Sequence, residues 1–286
     1  MPVFFGNVQE VMIDMRLLAT PVYYIETILF VVISCLIFVS VLFFVLTFYK
    51  KVNRIREIKR KKEYQFKIDE LLFNLLFNGK TVDEIIKHPD FIDCKENKLF
   101  QQLTIKSLIG LHHNYSGIYS SKLEQFFSAS GLADYSLNKL NSDNWSHIVE
   151  GIKDLSSLNY LKAYPRIVSY KNHHNKFVQT EVLLGMIKLK GISELLKFKN
   201  SNVYFNDWVQ SNILYVVKKH RIPAPENLVE LLKSKNESIN ILAIRLMNYY
   251  GLAEYNSELS GLLETSGNST IIKEISLHLN KTEHLQ

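Results

Sequence analysis

Residues 27–48 read TILFVVISCLIFVSVLFFVLTF, 22 residues without one charge. At about 1.5 Å per residue a helix of that length spans roughly 33 Å, enough to cross a hydrocarbon core of about 30 Å. No other segment restricts the fold so strongly, because a backbone in lipid has to satisfy its hydrogen bonds internally. The polar interruptions are Thr27, Ser34, Cys35, Ser40 and Thr47, all able to bond within their own helix. Thr20 and Pro21 predict the helix start, a cap followed by a first-turn proline, and Glu26 complements the positive end of the dipole. Tyr23, Tyr24, Phe48 and Tyr49 bracket the run as interfacial aromatics do. A cleavable signal peptide would carry an apolar core of about 7–15 residues after positive charge. Here the positive charge follows the run. A buried soluble helix is the other reading; such helices are shorter and more punctuated. The expectation is a single transmembrane helix over 25–49.

The flanks set its direction. Residues 1–24 hold Glu10, Asp14 and Arg16, whereas residues 50–63 hold Lys50, Lys51, Arg54, Arg56, Lys59, Arg60, Lys61 and Lys62 against Glu57 and Glu63. Basic residues beside a span stay in the cytoplasm. The chain is therefore expected in the inner (cytoplasmic) membrane, single-pass, with segment 1–24 outside and everything after the span inside. The other 26 basic and 26 acidic residues cancel, so the folded part has no net basic excess and nucleic acid is not an expected partner. The eight basic residues are placed over anionic lipid headgroups, at about 1 kcal/mol each; a purely topological stop signal is the competing role. Residues 3–18 form either an amphipathic interfacial helix or a partly ordered tail. Between Pro21 and Gly79 there is no glycine or proline, which predicts that the helix continues from Phe48 through the basic segment 50–78.

Beyond the basic segment, apolar residues recur at helical spacing. Phe66, Leu71, Leu72, Leu75 and Leu76 line one stretch before Asn78-Gly79, and Leu99, Leu103, Leu108 and Leu111 line another. Breakers at Pro89, Gly131, Gly151, Gly191, Pro223, Pro225, Gly251 and Gly267 cut the rest into helices, and no stretch alternates like a strand. The class is all-α. Residues 79–154 read as an irregular helical region. From 155 to 286 the chain repeats itself. Segments aligned on Val178, Val209, Ile239 and Ile271 are 31, 30 and 32 residues apart, with Val182, Ile213, Ala243 and Ile275 four places on and Met186, Val217, Met247 and Leu279 eight places on. These positions share one helix stripe. Shorter apolar helices are expected before them over 192–199, 225–233 and 252–264. Polar turns follow at Lys199-Asn200-Ser201, Lys235-Asn236-Glu237 and Ser266-Gly267-Asn268. Ile148 and Ile152 hint at one more unit, 30 residues before Val178.

A two-helix unit of about 31 residues with these turns resembles the HEAT-like repeat family, closest to its short bacterial form, over about residues 155–282. The Asp and Arg common at that family's turn and second helix are largely missing. Tetratricopeptide units are similar in length, but their small residues and interhelix proline are absent. The resemblance implies a cytoplasmic α-solenoid; an irregular bundle is the alternative.

Motifs for chemistry fail one by one. Asn78-Gly79-Lys80-Thr81 follows a helix and lacks the first glycine of a phosphate loop, so it reads as a helix exit with Thr81 capping the next helix. The pairs His112-His113 and His173-His174 are adjacent, whereas ligands sharing a helix face sit three or four apart; they read as solvated turn histidines. Two cysteines exclude a disulfide scaffold. The Asn-x-Ser/Thr sites at Asn114, Asn144, Asn236, Asn268 and Asn280 fall on the cytoplasmic side, away from glycan addition. No cofactor, metal, small-molecule substrate or catalytic activity is expected. Aromatic residues are dense in the repeats, and Tyr170, Tyr204, Trp208, Tyr249 and Tyr250 stand out as partner-binding residues. The expected function is a membrane-anchored scaffold for an integral or membrane-associated protein, such as a polysaccharide-synthesising glycosyltransferase or a secretion assembly. The alternative is a membrane enzyme or sensor subunit, since HEAT-like repeats in some bacterial proteins resemble chromophore lyases.

Overall fold

A computed structural model describes residues 6–199 and 203–283, and the side chains of these except for residues 6–23, 25 and 283. Among the described residues every regular element is a helix. The chain divides into two compact units, Met1–Glu63 and Tyr64–Gln286.

Helix α1 runs Gly6–Leu76. The start expected at Thr20 and Pro21 is overturned, since both lie inside α1. Residues 8–19 contain no glycine or proline and several strong helix formers, and the helix runs back past the proline although Pro21 removes a backbone donor and crowds the carbonyl four residues before it. Residues 49–65 are helical throughout, as their composition predicts. Every residue from Glu26 to Lys51 is exposed. Among the described residues one helix is long and apolar enough to cross a membrane, Glu26–Leu76, and none of its most apolar stretch is buried.

In the second unit the end of α1 buries Ile68, Leu71, Leu72, Leu75 and Leu76. Phe66, expected on that stripe, is 71% exposed; it lies two residues from Ile68, on the opposite side of the helix. After Gly79 at φ +72, Thr81 accepts from the Glu84 amide and Glu84 reaches back to the Thr81 amide, the capping box that opens α2, Val82–Ile86. Then follow α3 (Pro89–Ile92), α4 (Lys98–Asn114), α5 (Ile118–Ala129) and α6 (Leu132–Lys139). Phe91 joins this group by edge-on contacts with Phe100 and Phe126, at 6.0 and 5.4 Å.

The repeat positions belong to α9 (Lys176–Lys190), α10 (Asp207–Lys219), α11 (Glu237–Tyr250) and α13 (Ser269–Glu283), with α7 (Trp145–Ser157) and α8 (Tyr164–Ser169) before them and α12 (Asn256–Thr265) between the last two. Of the twelve aligned residues, ten are buried; Val209 and Leu279 pack half-buried against the same core. Of the helices preceding them, two differ in kind from expectation. Ile192–Phe198 and Leu228–Lys233 are 3₁₀ segments, and a short span between two turns is where i→i+3 bonding survives; the third, expected over 252–264, is a 3₁₀ turn at Ala253–Tyr255 followed by α12. Pro223 and Pro225, with the extended bias they impose on the residues before them, hold back the second segment to Leu228. Asn200 and Ser201 of one expected turn lie outside the described residues.

Gly151 is not a breaker. It sits inside α7, where a Cβ would lie 2.8 Å from the Ser136 carbonyl oxygen and 3.0 Å from Leu140. Its lack of a side chain lets α6 and α7 touch, and Lys139 then reaches Asp154 at 2.7 Å and Glu150 at 2.8 Å. Gly251, by contrast, closes α11 in the left-handed region.

Candidate functional site

The geometry of the surface starts from five asparagines. Asn144, Asn175, Asn206, Asn236 and Asn268, at intervals of 31, 31, 30 and 32, stand immediately before α7, α9, α10, α11 and α13. Each side-chain oxygen accepts from an amide of the first turn, at 2.9–3.1 Å to Ser146, Phe177, Val209, Ser238 and Thr270. Neighbouring units are tied at the same interval. Tyr170 Oη donates to the Leu140 carbonyl at 2.5 Å and Tyr250 Oη to that of Ile222 at 2.7 Å. Asn268 Nδ2 donates to Glu237 at 2.6 Å. Arg245 on α11 binds Asp207 and Gln210 on α10 and Glu274 on α13, at 2.8–3.0 Å.

This register lines up the residues just inside the caps. Trp145, Phe177 and Trp208 come from three successive asparagine-capped helices, α7, α9 and α10, and are 42%, 55% and 55% exposed. Trp145 stacks on Phe177 with centroids 5.3 Å apart, and Phe177 meets Trp208 edge-on at 6.2 Å. The sequence reading singled out Trp208 alone. Counting residues from each capping asparagine would have found the other two.

The remaining aromatic candidates separate into two kinds. Tyr204 is 73% exposed, and Tyr249 is exposed beside a recess of about 510 Å³ with Tyr215, Lys218, Arg245 and Lys281 in its wall. Tyr170 and Tyr250 are half-buried against the core, with their hydroxyls committed to the preceding unit. Burial, then Tyr249, pushes the Tyr250 hydroxyl up to about 12. These two hold the fold. Lys50, Lys51, Arg54, Arg56, Lys59, Arg60, Lys61 and Lys62 are all exposed along α1, and Lys61 pairs with Glu57 at 2.6 Å.

The first histidine pair does not stand in solvent as expected. His112 pairs with Glu124 at 2.8 Å, and the His113 ring meets the His220 ring edge-on at 5.1 Å. His173 accepts from the Asn175 amide at 3.0 Å and so shapes the turn before α9. Among the described residues no group of three or more histidine, cysteine or carboxylate side chains is placed to hold a metal ion. Comparison of the chain with protein-family models, with curated proteins and with solved structures gives no match.

Proposed function

We propose that this chain is a membrane-anchored scaffold whose repeat surface holds a partner protein at the cytoplasmic face of the inner membrane. The observation that carries the reading is the exposed 22-residue uncharged run of α1. A core helix of a water-soluble protein would be covered by its neighbours, since each buried Leu, Ile or Phe stabilises by about 1.5–3 kcal/mol; here every one of these residues lies open. Lys50 to Lys62 then meet anionic headgroups and place the larger unit in the cytoplasm. The regular capping asparagines, and hydrogen bonds that reach one unit forward or back, support a HEAT-like solenoid for the repeats. The row Trp145–Phe177–Trp208, with Tyr204, supplies the large rigid rings that anchor protein interfaces. A membrane-bound glycosyltransferase or secretion subunit is the partner class this tether serves, because anchoring both in one membrane raises their effective concentration.

The experiment is extraction in mild detergent followed by quantification of co-purifying membrane proteins. A stoichiometric partner that is retained by the native chain, and lost when Trp145, Phe177 and Trp208 are all replaced by alanine, is the expected result. Recovery of the native chain alone counts against the scaffold. A second reading, a membrane enzyme or sensor subunit, draws on the imidazoles of His113 and His220, which meet where α4 and α10 end.

A further inference from the structure

The recess of about 510 Å³ beside Tyr249 is lined by three helices. Leu214, Tyr215 and Lys218 come from α10, Arg245 and Tyr249 from α11, and Lys281 from α13. Arg245 sets the spacing of these helices and has no charge to spare, since Asp207, Gln210 and Glu274 already hold it. Lys218 and Lys281 differ. Both are exposed, and neither has an ion pair among the described residues. Lys281 Nζ gives one N–H to the Asn248 carbonyl at 3.0 Å and keeps two. Lys219 adds a third ammonium, its Nζ 5.3 Å from the centre of the Tyr215 ring. Residues 208–222, 238–253 and 275–282, which carry all these side chains, contain no Asp or Glu. The carboxylates that flank them, Asp207 and Glu274, are the two that Arg245 holds.

A helix C-terminus favours cations, which accounts for a lysine in the last turn of α10 or α13 taken singly. Helix α9 shows what that role looks like alone. Lys188 stands ten residues after Val178, as Lys219 and Lys281 stand after Val209 and Ile271. Its side chain is only 7% exposed and pairs with Glu181 at 3.5 Å. In α10 and α13 the lysines stay open instead, and two tyrosine rings lie open beside them, Tyr215 58% and Tyr249 42% exposed. Rings of this kind offer a partner a rigid apolar face and a hydroxyl. His220, which ends α10, adds no charge near pH 7: its ring meets that of His113, and burial lowers both to about 4.

We infer that this recess binds an acidic peptide segment of a partner protein, with carboxylates on Lys218, Lys219 and Lys281 and an apolar side chain against Leu214, Tyr215 and Tyr249. Charge complementarity chooses this occupant, because every unpaired charge at the recess is positive. A small-molecule site encloses most of its ligand; walls this exposed suit a chain that lies across the recess and runs on beyond it. Opposite charge steers the encounter and selects the partner, while each exposed pair adds modestly to affinity. The recess lies within the second unit and shares no residue with the row Trp145–Phe177–Trp208, so its test is separate from that of the membrane scaffold.

The test is fluorescence anisotropy of a fluorescein-labelled peptide, Gly-Asp-Glu-Phe-Asp-Glu-Leu-Gly, titrated with the full chain in nonionic detergent at low and at physiological salt. Saturable binding with a Kd below about 1 mM is expected, weaker at the higher salt. The double variant Lys218→Glu/Lys281→Glu weakens it roughly tenfold or more. Lys218→Gln/Lys281→Gln does so to a smaller degree and serves if the reversal unfolds the chain. Tyr215→Ser/Tyr249→Ser weakens it roughly threefold or more. Lys95→Glu/Lys98→Glu, an equal change of net charge at two exposed lysines before and at the start of α4, leaves it unchanged. Inorganic phosphate that displaces the peptide at concentrations near the peptide's own Kd reassigns the recess to small anions. Binding that survives replacement of Asp and Glu by Asn and Gln in the peptide makes the contact purely apolar. Either result overturns the acidic-peptide site, as does absence of saturable binding to a chain with native circular dichroism, or binding indifferent to both lysine variants.

Discussion

Helices α7, α9 and α10 are built differently at their two ends. Each N-terminal end repeats one device: an asparagine cap, then a large exposed ring one or two residues later. The C-terminal ends share no device. α7 closes among buried serines, α9 carries a buried lysine and stops at Gly191, and α10 stops at a histidine that meets another from α4. The N-terminal end is decided by chemistry within four residues, because orphan amides need a nearby acceptor. The C-terminal end is decided by what other parts of the chain bring to it. Local chemistry makes the first regular, and contacts from distant parts of the chain make the second individual.

The largest effect expected lies between the ends and sets the scale for both. Gly151→Ala places a methyl group 2.8 Å from the Ser136 carbonyl and is expected to destabilise by roughly 1–3 kcal/mol, read as a lowered thermal midpoint by circular dichroism. An unchanged midpoint would mean that α6 and α7 are not in close contact. At the C-terminal ends, His113 and His220 sit at about 4 against an ordinary 6.5. The unfolded chain thus binds more protons between these values, and stability falls as pH drops from about 6.5 towards 4. Urea midpoints at pH 6.5 and 4.5 should converge in the double variant His113→Gln/His220→Gln; an equal slope in that variant removes the two rings as its cause. At the N-terminal ends, Asn175→Ala and Asn268→Ala should each cost about 1 kcal/mol, with Asp in place of Asn recovering most of it. A cap whose loss is silent breaks the equivalence of the five helices. Smallest of all, Trp208→Ala should change stability by about 0.5 kcal/mol or less, since its ring is 55% exposed. A larger loss would make the aromatic row part of the core.

Much of this was legible in the residues. Stripes at positions 0, +4 and +8 located four helices because burial of one helix face leaves a periodic trace, and the absence of glycine and proline over 22–78 foretold that α1 continues past Phe48, though not that it begins before Pro21. The capping asparagines were equally visible, yet Asn144, Asn236 and Asn268 also read as glycan acceptor sites, and that reading directs attention two residues on rather than thirty. Short apolar segments look the same whether they close i→i+3 or i→i+4 bonds, so 192–198 and 228–233 could not be told from α-helix. Tyr170 and Tyr250 could not be told from Tyr204 and Tyr249 either, because what separates them is a carbonyl one unit earlier. The meeting of His113 with His220 left no trace in any local window.

That meeting also bears on how the chain acquires its structure. From α7 onward, the bonds that join neighbouring units span mostly about one repeat, as from Tyr250 to Ile222 or Asn268 to Glu237. Such short-range contacts close small loops and form quickly, so each unit can dock on its predecessor as it leaves the ribosome. The pair His113–His220 obeys a different clock, since residues 107 positions apart cannot touch until the intervening units are in place. Newly made protein therefore passes through a stage in which its repeats are formed but the imidazoles are still apart, and a nascent chain released before residue 220 is never able to leave that stage.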